Sequence, residues 1–180
     1  MLKRPPHLLD PDPRFQTMVG GLYETGQVRP MSIDDLYDLV TTFHLNAAVP
    51  NDIAEQFDKA RHAFIYSWFA YDLVSLAEQQ AYQVVELALR GKLSPDERAR
   101  ASKERWGLKK LLDCAVAHQC LSREAFTTAT PWGSGASMCA LDVFVRGRNE
   151  LAHGSTHLFP AGSLAMLKLS ADILNALFSA

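Results

Sequence analysis

The stretch NDIAEQFDKARHAFIYSWFAYDLVSLAEQQAYQVVELALRG, residues 51–91, decides the fold class. Ile53, Phe57, Ala60, Phe64, Tyr71, Val74, Ala81, Val85 and Ala88 recur at a near-heptad interval. No Pro or Gly interrupts them between Pro50 and Gly91. That rhythm buries one face of an α-helix and no face of a strand. The spacing predicts one very long helix of about 35–40 residues, ending at Gly91. Its most apolar part, residues 63–77, carries Asp72 and is shorter than the roughly 20 residues a membrane span needs. It reads as a core helix, with no membrane association.

The flanks extend the same pattern. Ser32 caps a short amphipathic helix carrying Ile33, Leu36 and Phe43, with acids in its first turn. Ser94-Pro95-Asp96-Glu97 is a capping box with Pro at the first helical position. Trp106-Gly107 marks a fresh start before LKKLLDCAVAHQ. Pro131, Gly133 and Gly135 make residues 127–137 a loop, and GSGAS lacks the Lys-Ser/Thr of a phosphate-binding loop. A helix resumes near Ser137 and stops at Gly154. Leu164, Leu167, Ile173, Leu174, Leu177 and Phe178 mark a closing helix from about Pro160. Nothing alternates at period two. The expectation is an all-α, up-and-down bundle of four to five helices, residues 32–180, behind a Pro/Gly-rich arm, residues 1–31.

Composition narrows the function classes. The chain has 180 residues and a net charge of −2, which argues against wholesale polyanion binding. Residues 90–110 are the exception, with eight basic residues against three acidic ones. Such a block is either a solvated helix face or a local nucleic-acid footprint, with Arg105, Lys109 and Lys110 as candidate phosphate contacts. Three Cys without CxxC spacing suggest reduced thiols in a cytoplasmic protein and no metal site. The N-terminus lacks the apolar core of a signal peptide.

Chemistry concentrates in FVRGRNELAHG, residues 144–154. On a helix Asn149 and His153 share a face, and Arg146 falls on it too. Arg148 is five residues before His153, about 140° round, and long enough to curl back. A guanidinium, an amide and an imidazole together suit a phosphate: Arg binds its oxygens in a fork, and His moves a proton near neutral pH. The plain alternative is a basic helix end complementing the macrodipole. Asp72 and Glu78 interrupt an apolar helix and are candidate acids to hold Arg148 or His153. His157 lies four residues after His153, but no third ligand supports a metal.

RNELAHG, residues 148–154, resembles the signature of the HEPN superfamily: Arg, a polar residue, and His after four to six intervening residues. Arg148, Asn149 and His153 fit it. Arg146 fits the spacing, but Gly147 stands where the polar follower belongs. Residues 52–178 are similar in layout to prokaryotic members. The resemblance implies a helical homodimer with two motifs in a shared cleft. It also implies a metal-independent endoribonuclease without cofactor, of the kind found among toxins and phage-defence effectors. Other members have lost catalysis and bind RNA or assemble complexes. A toxin partner would be an antitoxin encoded nearby. One toxin subgroup has Tyr two residues after the motif His, where this chain has Ser155.

Overall fold

The computed structural model describes residues 3–22, 27–129, 137–154 and 160–179. They form an all-α bundle. Seven α-helices lie among the described residues: α1 (Ile33–Thr41), α2 (Asn51–Tyr66), α3 (Leu73–Lys92), α4 (Pro95–Lys103), α5 (Leu108–Ala117), α6 (Ala140–Ala152) and α7 (Pro160–Leu177). Two short antiparallel ribbons accompany them. One pairs β1 (Val19–Leu22) with β2 (Gln27–Pro30), and the other pairs β3 (Thr127–Ala129) with β4 (Ser137–Cys139). Strands this short show no period-two pattern, so the sequence reads as loop where β3 and β4 pair. The helix expected near Ser137 starts at Ala140.

The single long helix is a correction. The chain folds back at residues 67–72, so α2 and α3 pack against each other as a hairpin. Gln80 Nε2 on α3 donates to the Gln56 carbonyl on α2, 3.3 Å away, which fixes them antiparallel. All nine heptad positions are buried nonetheless. Gly91 does not end the helix; α3 continues to Lys92, and Ser94 then caps α4.

No Gly or Pro makes this turn. Ser67 is buried, and its Oγ donates to the Phe64 carbonyl, 2.6 Å away. Local backbone bonds such as Trp68 N–H to Ile65 O and Phe69 N–H to Tyr66 O close the turn, and the N-terminal arm adds further contacts. Asp12 N–H donates to the Trp68 carbonyl at 2.7 Å, and the Asp12 carboxylate accepts the Tyr71 N–H at 3.2 Å. Arg14 bridges Asp12 and Asp72, with its ring contact on Tyr71. Phe15 is 1% exposed and packs against Trp68 and Tyr71. The arm is thus a clamp on the hairpin turn.

α3 is the central helix, touching α2, α5, α6 and α7. Ser163 Oγ donates to Glu78 at 2.6 Å, and Lys92 lies over the Phe178 ring, so α7 runs parallel to α3. Capping follows the sequence at three ends. Ser32 and Ser94 both form capping boxes, with Asp35 and Glu97. Gly154 takes φ +80° just past α6, where the left-handed region favours glycine. α4 and α5 end in the same left-handed way on Arg105 and Gln119. Trp106 N–H then reaches Ala101 O, and Cys120 N–H reaches Ala115 O, closing both helix ends.

Gly147 explains the Arg-Gly-Arg run. A Cβ there would lie 2.5 Å from the Tyr82 hydroxyl oxygen and 3.7 Å from Met166 Sδ. The missing side chain lets α6 approach α3 and α7. Tyr82 fills that space, its ring tilted 60° against Phe144 at 4.6 Å between centroids and its hydroxyl donating to Glu78 at 2.8 Å. Burial, reinforced by Glu78, pushes the Tyr82 hydroxyl well above the usual phenol range, so it stays a donor.

Candidate active site

α3 and α6 enclose a cleft of about 690 Å³. One wall follows α3: Ser75, Gln79, Tyr82, Gln83 and Glu86 recur at helical spacing, with Asp72 at the end. The other wall is Arg148, Leu151, Ala152 and Gly154 from the end of α6. Arg148 is half-buried, and its Nε donates to Glu86 Oε1 at 3.2 Å. A guanidinium has five N–H donors, so this bond fixes Arg148 while four remain for a ligand. Glu86 also lies 4.0 Å from Arg90.

The acid bonded to Arg148 is therefore Glu86 and neither Asp72 nor Glu78, which corrects the expectation for that arginine. Asp72 pairs with Arg14 at 2.9 Å and lies 14 residues before Glu86, about 21 Å along the helix. Glu78 turns toward α7, where it accepts Tyr82 and Ser163. Glu86 was missed because it occupies the polar flank of a strongly periodic helix, beside its i+4 partner Arg90. That spacing reads as surface pairing.

The two candidate arginines are separated. Arg146 lines a different hollow, of about 330 Å³, shared with Glu78, Glu150, Ser163 and Met166. Arg148 alone of the two lines the α3–α6 cleft. His153 is the C-cap residue of α6, with its N–H bonded to the Asn149 carbonyl at 3.0 Å. It is exposed, between the cleft-lining Ala152 and Gly154. Asn149 is exposed one helical turn before it. Neither Asn149 nor His153 lines the cleft, so one chain brings Arg148 into the cavity and leaves the other two at its rim. Ser155, His157 and residues 133–136 of the Gly-rich loop lie outside the described residues.

The basic block is largely occupied internally. Lys109 pairs with Asp113 at 2.7 Å, and Lys110 with Glu104 at 2.6 Å while lying over the Trp106 ring. Arg90 Nη2 donates to the Trp106 carbonyl. Arg105 is exposed at the left-handed end of α4. None of Arg105, Lys109 and Lys110 lines the cleft.

No described helix is long and apolar enough to cross a membrane. No protein-family model, curated protein or solved structure matches the chain.

Proposed function

We propose that the α3–α6 cleft binds RNA phosphodiesters and that the protein is a metal-independent endoribonuclease of HEPN type, acting as a homodimer. The observation that carries this is the Glu86-anchored Arg148 in the cleft wall, with His153 at the adjoining helix end. RNA carries its own nucleophile, the 2′-hydroxyl. Cleavage then needs a base for its proton, a cation for the phosphorane charge and an acid for the leaving 5′-oxygen. His153 is the base, Arg148 stabilises the phosphorane, and Asn149 orients the phosphate or the imidazole. A second copy's motif supplies the acid. Gln79 and Gln83 offer amide donors and acceptors along the cleft for the bases or riboses of the substrate.

Dimerisation is supported by Leu76 and Leu87, 53% and 47% exposed and eleven residues apart, hence on one stripe of α3. Sedimentation at micromolar concentration should show a two-fold dimer, and a monomer alone would count against the shared cleft. A toxin or phage-defence effector is the biological role this chemistry fits.

A second reading is a non-catalytic HEPN-like module that binds RNA or assembles with proteins. The outward position of His153 and the internal pairing of the basic block favour it. The deciding experiment is incubation of mixed single-stranded RNA with the purified protein in EDTA, followed by end-group analysis. The ribonuclease reading expects 2′,3′-cyclic phosphate and 5′-hydroxyl ends, with DNA resistant. RNA retained without cleavage selects the second reading.

A further inference from the structure

The sequence suggested no metal cluster, yet α4 and α5 bring three ligating side chains together. Glu97, Cys114 and His118 place their ligand atoms within 4.8 Å of one another. Glu97 Oε1 lies 2.7 Å from His118 Nε2 and 3.6 Å from Cys114 Sγ. We propose that these three residues form a binding site for a borderline-soft divalent cation, Zn²⁺ in chemical type, with water in the fourth position.

The donor set is the first reason. A thiolate, an imidazole and a carboxylate are the ligands Zn²⁺ takes, and three of them with an open position complete a tetrahedron with water. Distances are the second. Zn–N and Zn–O bonds near 2.0 Å and a Zn–S bond near 2.3 Å separate tetrahedral ligands by about 3.3–3.5 Å. The Cys114–Glu97 separation already fits, His118 needs to move away from Glu97 by roughly half an ångström, and Cys114 and His118, within 4.8 Å of each other, need to reach about 3.5 Å. The His118 side chain is 56% exposed, so it has the room.

Preorganisation is the third reason. Cys114 lies in the last turn of α5 and His118 is its C-cap residue, with the His118 N–H bonded to the Cys114 carbonyl at 3.0 Å, so the two stand one turn apart. Glu97 is held by its capping box: its Oε2 accepts the Ser94 N–H at 3.0 Å and Ser94 Oγ at 2.8 Å. Oε1 is thereby directed at Cys114 and His118. Ligation takes the Cys114 thiolate, so metal binding must displace the thiol proton to solvent and strengthen with pH. None of the three residues lines the cleft, so this site and the ribonuclease reading stand or fall separately.

The test is titration of the purified, reduced full-length chain with Co²⁺ and Zn²⁺ against a chelating indicator at neutral pH. The expected result is one ion per chain. Co²⁺ should give a thiolate-to-metal charge-transfer band, displaced by Zn²⁺. Cys114→Ser should remove the band, and His118→Ala should lower affinity by at least roughly tenfold, since even residues behind the ligands cost that much. Cys120→Ser, which removes the neighbouring thiol, should keep the band. Glu97→Gln preserves a capping-box residue and should weaken binding while circular dichroism stays unchanged. Absence of stoichiometric binding in the wild type would overturn the proposal. So would a band that survives Cys114→Ser or vanishes in Cys120→Ser, or an affinity unmoved by His118→Ala.

Discussion

Replacing Asp12 by Ala should loosen the turn between α2 and α3. The carboxylate accepts the Tyr71 N–H at 3.2 Å and the Arg14 N–H at 3.1 Å, and forks with Arg14 Nε and Nη2 at 2.9 and 3.0 Å. Hydrogen bonds to a charged acceptor contribute about 1.5–3 kcal/mol each. The Arg14 side chain is 48% exposed, so its ion pair adds about 0–1 kcal/mol. Counting the buried Tyr71 bond fully and the Arg14 contacts at this discount gives a loss of about 1.5–4 kcal/mol. Phe15→Ala should cost about 3–5 kcal/mol as a buried aromatic truncation. The double variant should cost less than the sum, because both residues fasten one clamp. Arg14 holds the Asp12 carboxyl far below its usual range. A lowered folded-state pKa means the contribution is complete above the unfolded value, about 3.9, and is lost as pH falls through the folded one. The stability gap between wild type and Asp12→Asn should therefore be widest above about pH 5 and shrink below about pH 4. Urea denaturation followed by circular dichroism, between pH 7 and 3, measures it. A loss below about 0.5 kcal/mol at neutral pH would refute the clamp, by falling well under one charge-assisted bond.

Three further outcomes are expected. Gly147→Ala should destabilise by about 1–2 kcal/mol in thermal or urea melts, because overpacking against the hydrogen-bonded Tyr82 outweighs alanine's helix preference; a stabilised variant would show that α6 does not approach Tyr82 so closely. Glu86→Gln should slow RNA cleavage roughly tenfold with an unchanged fold, less than loss of Arg148 itself, since it frees rather than removes the guanidinium; an unchanged single-turnover rate would dismiss Glu86 as a positioning residue. Lys109→Glu with Lys110→Glu should weaken RNA binding and flatten its salt dependence if the basic face contacts phosphates. Unchanged binding by filter retention would leave that face as the self-paired surface its ion pairs describe.

Helix ends were legible at Ser32, Ser94-Pro95 and Gly154, which act as their chemistry predicts, but not at Gly91, which α3 runs through. The ends at Arg105 and Gln119 were not, because neither is the glycine that usually marks a left-handed stop. The hairpin turn was hidden for a different reason. Phe64, Tyr71 and Val74 keep their rhythm across it, and a key anchor is Asp12, 59 residues before Tyr71. Arg148 was singled out only through the resemblance of residues 148–154 to the HEPN pattern; the structure places it in the cleft wall. Its acid was not legible, since Glu86 meets it only once α6 lies on α3. Glu97 was read as a helix cap, which it is, and that role concealed its second oxygen from the Cys114–His118 pair. For the turn, Arg148 and Glu97 the missed partner belongs to another element, and only packing brings it near.

The most direct measurement is the single-turnover cleavage rate of single-stranded RNA in EDTA by the wild type, His153→Ala and Arg148→Ala, each with its circular dichroism. The account predicts folded variants in which His153→Ala abolishes cleavage and Arg148→Ala lowers the rate by about a hundred- to a thousandfold, the effect of losing one transition-state donor. Arg146→Ala, from the separate hollow, should lose far less. Wild-type activity that vanishes in EDTA, or cleavage that survives in His153→Ala, would contradict it.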